Sequence, residues 1–316
     1  MSILILTRVS AENAEMWRTL LAAAMPEEDI LPVVPGGLPG DADLGAVDVA
    51  IVANPPPGLL TRCPNIRLIQ SLWAGVDALL TDDTLPEQPV LARLVDPALA
   101  TAMAEAVATW TLWLHRQGPA YHASELAHEW RQRLQPTAAE RRVGLLGLGA
   151  MGRASAALLK TIGFDVCGWS RSPVALEGIR TFSGADGLTA MLADTEILVN
   201  LLPLTPETRG ILGTPLFSAL PAGAAIVNFG RGDHLVSEDL LGALERGQLS
   251  HAVLDVFSKE PLRPECPYWD HPQITVLPHV AAATDPRTAA EEVAENIRRF
   301  RAGKPLAGVV ERKRGY

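Results

Sequence analysis

Short apolar runs alternate with amphipathic stretches along most of this chain. Residues 3–7, Val47–Ala53 and Ile66–Ser71 read as strands. Residues 11–24, between the first two, carry apolar positions at helical spacing and read as an amphipathic helix. The second strand ends at Asn54-Pro-Pro-Pro57, and the third runs into Trp73-Ala-Gly-Val-Asp77. This order of strand and helix signals a parallel sheet. A second series starts at Val143 and continues through 164–169, 196–202, 224–229, 251–256 and 274–277. A long helix near 98–117 joins the two series, and a helix over 286–302 follows the last strand. The polar, irregular segment 119–140 is expected to wrap the outside. No internal repeat or low-complexity tract interrupts the pattern.

Length and composition narrow the possibilities. The chain has 316 residues, which suits two domains, and 48% apolar residues, ample for packed cores. A formal net charge of −9 argues against nucleic acid or an anionic membrane as partner. It leaves room for a small anionic substrate at a local basic site. Cys63, Cys167 and Cys266 form no C-x-x-C pair, and no His-rich spacing accompanies them. A reducing, cytoplasmic location and no bound metal are therefore expected. The apolar start, Ile3 to Leu6, is too short for a signal peptide and reads as a first strand. Segment 98–114 is interrupted by Glu105 and several threonines, so a buried helix suits it better than a membrane span. The basic tail Glu311-Arg-Lys-Arg-Gly-Tyr316 reads as a solvated end.

The most specific chemistry lies at Gly147, Gly149 and Gly152, a G-x-G-x-x-G spacing between a strand at 143–146 and an Ala/Leu-rich segment at 153–160. The first glycine permits the tight turn, the second lets a pyrophosphate approach the backbone, and the third lets the helix sit close to the strand. The helix start at Ala150 and Met151 would then offer unpaired N–H groups to phosphates. A plain structural turn is the alternative. Further along, strand ends carry Asn200-Leu-Leu-Pro-Leu-Thr-Pro-Glu-Thr208, Asn228-Phe-Gly-Arg-Gly232, Asp255 and Glu260, and Pro278-His279. Strand C-termini are where open α/β sheets bind ligands. Arg231, between glycines, can grip a carboxylate with two parallel bonds, or be an ordinary loop arginine. A lone His beside proline is usually structural. A His, a carboxylate and an Arg at the ends of one parallel sheet favour catalysis.

These motifs in this order resemble the D-isomer-specific 2-hydroxyacid dehydrogenases, and within them the glyoxylate/hydroxypyruvate reductase A subgroup. The pieces are Pro55-Pro56, Ala74-Gly-Val-Asp77, Cys167-Gly-Trp-Ser-Arg171, Leu201-Leu-Pro-Leu-Thr-Pro-Glu-Thr208, Pro278-His-Val-Ala-Ala282 and Arg314-Gly-Tyr316. The resemblance implies an α/β protein of two Rossmann-like domains, one flavodoxin-like and one dinucleotide-binding, with parallel sheets and a cleft between them. Residues 1–98 and 285–316 would form the substrate-binding domain, and 99–284 the dinucleotide-binding domain. A homodimer is implied, paired largely through the latter.

The resemblance also assigns roles. Arg231, Glu260 and His279 match the catalytic trio. Cofactor contacts fall on Gly147, Gly149, Ala150, Met151, Gly152, Ser170, Arg171, Ser172, Leu202, Pro203, Thr208, Phe229, Gly230, Arg231 and Asp255, the last at the nicotinamide carboxamide. Substrate contacts fall on Trp73, Ala74, Gly75, Arg231 and His279. The expected reaction is reduction of a small 2-oxo acid, such as glyoxylate or hydroxypyruvate, with protonated His279 as general acid and Glu260 orienting its ring. A bulkier 2-oxo acid substrate, or a non-enzymatic nucleotide-sensing protein, remains as an alternative.

Three departures from the subgroup concern the substrate and nicotinamide sites. Ala53-Asn54 stands where a Trp and a basic residue are frequent, Trp73 where a small residue is frequent, and Phe229-Gly230 where Leu-Ala is frequent. The strand Phe164–Trp169 ends in Ser170-Arg-Ser172 with no carboxylate to hold a ribose 2′-hydroxyl; Asp165 lies at its other end. NADP(H) is therefore the expected cofactor, with NAD(H) left open as a second.

Overall fold

A computed structural model describes residues 1–40 and 42–315; Tyr316, the end of the terminal Arg-Gly-Tyr element, lies outside them. The chain divides into two compact units, residues 1–98 with 284–316, and residues 99–283.

The first unit contains β1 (Ser2–Thr7), α1 (Ala11–Ala24), β2 (Asp29–Ile30), β3 (Val47–Ala53), β4 (Leu68–Ser71), α2 (Asp77–Leu80) and β5 (Val90–Ala92). Its five strands are all parallel, in the order β2-β1-β3-β4-β5, the flavodoxin-like arrangement. Side chains alternate between two buried faces. Ile3, Ile5, Val49 and Ile51 meet Trp17 and Leu21 of α1, while Leu4, Leu6, Ala50 and Val52 meet Leu60, Ile66 and Leu79. Burial on both faces is why these strands read as continuous apolar runs.

The helix α3 (Pro97–His115) leads into the second unit. There follow α4 (Gly118–Leu126), β6 (Arg142–Leu146), α5 (Ala150–Ile162), β7 (Asp165–Ser170), β8 (Arg180–Ser183), α6 (Gly184–Leu192) and β9 (Ile197–Asn200). The unit continues with α7 (Thr214–Ala219), β10 (Ala224–Asn228), α8 (Ser237–Glu245), β11 (Leu249–Leu254) and β12 (Ile274–Val276). The seven parallel strands run β12-β11-β10-β9-β6-β7-β8, the dinucleotide-binding order with one added edge strand. The order reverses between β6 and β9, and the glycine turn follows β6 there. The chain then returns to the first unit through α9 (Pro286–Arg301), whose Ala289, Ala290, Val293, Ala294 and Ile297 complete the core that holds Trp17.

The segment 119–140, expected to be irregular throughout, begins with the helix α4. Pro119 lies in its first turn, where proline costs no hydrogen bond and presets the backbone for a helix.

His251 of β11 is buried, with Nε2 2.9 Å from Thr275 Oγ1 and its ring edge-to-face with Trp113. Nδ1 has no hydrogen-bond partner among the described residues. Burial, then the nearby His271, push the pKa down to about 4. An unfolded histidine titrates near 6.5, so between about pH 6.5 and 4 the unfolded chain binds the extra proton. The stability this neutral ring contributes is present above that window and is lost as pH falls through it, by about 3 kcal/mol in all. Urea unfolding at the two ends of the window should show a smaller drop in His251→Gln than in the parent. An equal drop would assign the acid sensitivity elsewhere.

Candidate active site

The glycine turn is set by close approach. Gly147 has φ +99°, a region open to glycine, and its N–H bonds to Trp169 O at 2.9 Å. A Cβ on Gly152 would lie 1.9 Å from the carbonyl oxygen of Gly147, so only glycine lets α5 begin here. Gly149 and Ala150 are exposed, Met151 is half-buried, and a Cβ on Gly149 would meet nothing within 4 Å. The result is an open backbone surface at the positive end of a 13-residue helix, a fit for a pyrophosphate.

At the end of the neighbouring strand, Ser170 Oγ donates to Ser172 O at 2.7 Å, closing a tight turn around the exposed Arg171. Asp165 opens that strand and is bound by Arg142 at 2.7 Å, at the opposite edge of the sheet. Glu207 is held below the usual carboxylate range by the Thr205 hydroxyl, its own N–H and the charge of Arg171. It is an acidic neighbour of Arg171 that the sequence reading did not include. The loop 203–208 is tied by Thr208 Oγ1, which donates to Pro203 O at 2.7 Å and accepts from Thr205 N at 2.8 Å. Leu202 N–H donates to Asn200 Oδ1 at 3.3 Å.

Beyond β10, Phe229 is buried in the core and Arg231 leaves the strand half-exposed, its Nη1 donating to Gly230 O at 2.8 Å. A Cβ on Gly232 would fall 1.9 Å from the carbonyl carbon of Phe257 and 2.1 Å from Ser258 N. The arginine turn therefore lies directly against the backbone that follows β11. There Phe257 N–H donates to Glu260 Oε1 at 2.9 Å, and Glu260 Oε2 lies 2.7 Å from His279 Nδ1. The structure brings Glu260 and His279 into direct contact.

His279 has φ +56°, left-handed backbone that costs a non-glycine residue of order 1–3 kcal/mol unless its surroundings enforce it. Asp255 enforces it. Its carbonyl accepts His279 N–H at 3.0 Å, and its carboxylate accepts Val280 N–H at 2.7 Å and Ala281 N–H at 3.0 Å. Burial pushes the carboxyl of Asp255 up in pKa, against the opposing pull of those two N–H groups. The sequence reading placed Asp255 at a nicotinamide; what the fold shows is this clamp. Asn200, Asn228 and His234, all fully buried beside Arg231, escaped that reading. The available signal was two asparagines ending buried strands at the ligand edge of the sheet.

In the first unit, Trp73 is half-buried and meets Trp17 edge-to-face at 6.1 Å, so its indole has a packing partner. Ala74 and Gly75 are half-buried in the loop before α2. Ala53 is a core residue of β3, and Asn54 turns the chain with φ +47°. Among the described residues no group of three or more His, Cys, Asp or Glu could hold a metal ion, and no helix is long and apolar enough to cross a membrane.

Residues 108–281 match the family model of the D-isomer specific 2-hydroxyacid dehydrogenase NAD binding domain. A glyoxylate/hydroxypyruvate reductase A of Serratia proteamaculans is 40% identical over 310 residues, covering 96% of this chain and 97% of its own. A D-isomer specific 2-hydroxyacid dehydrogenase of Xanthobacter autotrophicus, solved with NADPH and MES, superposes with TM-score 0.95 at 40% identity, covering 100% of this chain and 99% of its own. An NADPH-dependent glyoxylate/hydroxypyruvate reductase of Sinorhizobium meliloti, solved with NADP and sulfate, gives 0.91 at 40% identity and covers 100% of both chains.

Proposed function

The chain belongs to the D-isomer specific 2-hydroxyacid dehydrogenase family, and on that premise we propose that it reduces small 2-oxo acids, glyoxylate and hydroxypyruvate among them, to 2-hydroxy acids with NADPH. The observation that carries the reading is the 2.7 Å pair of His279 and Glu260 on a turn clamped by Asp255. When bound, the reduced nicotinamide supplies the hydride. Arg231 binds the substrate carboxylate and polarises the carbonyl oxygen. Glu260 accepts a hydrogen bond from Nδ1–H of His279 and orients the ring, which leaves Nε2 to protonate the developing alkoxide. The backbone of Ala74 and Gly75 is a further proposed contact for the carboxylate. The turn 147–152 holds the pyrophosphate, while Ser170, Arg171 and Ser172 receive the 2′-phosphate. Leu202, Pro203, Thr208, Phe229, Gly230 and Asp255 are the remaining proposed contacts of the cofactor. A cytoplasmic homodimer completes the proposal, supported by the exposed side chains Leu126, Trp130 and Leu134 of the second unit.

The test follows oxidation of NADPH and NADH with a panel running from glyoxylate to bulky 2-oxo acids, on protein whose mass in solution is measured by light scattering. Turnover with the small acids, NADPH preferred, and twice the 33.8 kDa chain mass are expected. Ser170→Asp with Arg171→Ala should shift the cofactor ratio towards NADH by about tenfold or more, since it removes a charged partner and adds a repelling one. No turnover with any 2-oxo acid would end the enzymatic reading. A parent protein that uses NADH as well as NADPH would end the cofactor reading alone.

A further inference from the structure

The mechanism above leaves a fully buried histidine beside Arg231 without a task. His234 Nδ1 lies 3.1 Å from the backbone N–H of Arg231 and 2.8 Å from Asn200 Nδ2. A backbone N–H can only donate, so Nδ1 is the acceptor. In a neutral ring the proton is then on Nε2, which lies 3.2 Å from Pro203 O, an atom that can only accept. Both ends of the ring require the same tautomer. The asparagines are oriented with equal consistency. Asn228 Oδ1 accepts from Asn200 Nδ2 at 2.9 Å and from Gly230 N–H at 3.2 Å, and its Nδ2 donates to Arg231 O at 3.0 Å. Both backbone polar groups of Arg231 are thus held by buried side chains. The glycine at 230 leaves room for this arrangement, since a Cβ there would lie 2.7 Å from Asn200 Nδ2 and 2.8 Å from His234 Nδ1.

We propose that His234 is a positioning residue: through its two ring nitrogens it ties the backbone of Arg231, which grips the substrate, to the Pro203 loop, which faces the cofactor. The inference rests on the functional reading of Arg231 and of that loop. The network serves more than strand pairing, because its bonds end on residues that have already left the sheet. Buried polar networks of this kind fix a single geometry when fully satisfied.

The two nitrogens can be separated by substitution. In His234→Asn the side-chain oxygen stands where Nδ1 was, so the Arg231 bond is kept and the Pro203 bond is lost. In His234→Gln the amide N–H reaches the Nε2 position, and the reverse holds. His234→Asn should weaken NADPH binding by about tenfold with little change in the KM for glyoxylate. His234→Gln should raise that KM by about tenfold with little change in the Kd for NADPH. His234→Leu should do both. Nitrogen NMR of the unaltered protein should show the Nε2–H tautomer of His234, a readout that needs no variant to fold. The opposite tautomer, or Asn and Gln variants alike in KM and Kd and lowered only in melting temperature, would overturn the positioning role. Arg231→Ala is the control. If it keeps the KM for glyoxylate and its turnover, the functional reading itself has failed, independently of His234.

Discussion

His279→Ala is expected to lower kcat by about 10²–10⁴-fold, the usual cost of losing a proton donor in the transition state, while the Kd for NADPH stays near that of the parent. The separation follows from how the turn is built. Asp255 holds residues 279–281 through their backbone N–H groups, which alanine keeps. What alanine removes is the ring and its 2.7 Å contact with Glu260. Glu260→Gln should give a smaller loss, because the ring remains in place while the carboxylate that orients it is replaced by a neutral amide. Kinetics with saturating NADPH and fluorescence titration of the cofactor measure the two quantities separately. A kcat within a few-fold of the parent in His279→Ala would remove the histidine from the chemistry.

Gly232→Ala is expected to be nearly as damaging although it touches no reacting atom. The new Cβ would sit 1.9 Å from the carbonyl carbon of Phe257, 2.1 Å from Ser258 N and 2.4 Å from Phe257 O. All three are backbone atoms, so no rotamer change relieves the contact and the two loops must move apart. One loop carries Arg231; the other positions Glu260 through Phe257 N–H. A displacement of about 1 Å between groups that act together costs about 10²-fold in rate. The expected result is a loss of kcat/KM of at least that order, with a lowered melting temperature. Activity within threefold of the parent would show slack between the loops.

The central strands were legible because burial on both faces leaves little but Val, Ile, Leu and Ala in them. The edges were not. β2 has two residues, β5 three, and β8 is Arg180-Thr-Phe-Ser183, too short and too polar for a period to register. The same limit applied at the site. Glycine spacing and strand-end residues marked Gly147–Gly152, Arg231, Glu260 and His279, since each is of a type that chemistry restricts. Asn200 and Asn228 look in sequence like the last residues of two strands and His234 like an ordinary loop residue. His234 and Asn228 matter through bonds to the backbone of Arg231, and Asn200 through bonds to those two side chains, which no spacing encodes. Trp73 shows the converse. An unusual residue in a substrate loop suggested a pocket role, and the fold also supplies a packing partner in Trp17, 56 residues earlier in the chain.

The return of the chain through α9 has a consequence for synthesis. Translation proceeds at about 5–20 residues per second. The strands β1 to β5 are complete at Ala92, but the helix that finishes one of their faces ends at Arg301. Ile3, Ile5, Val49 and Ile51 therefore wait roughly ten to forty seconds for Val293 and Ile297, while residues 99–283, contiguous in sequence, are made and can close. The unit whose strands leave the ribosome first is the unit that finishes last, and the nascent chain carries one incomplete face of that sheet through most of its own production.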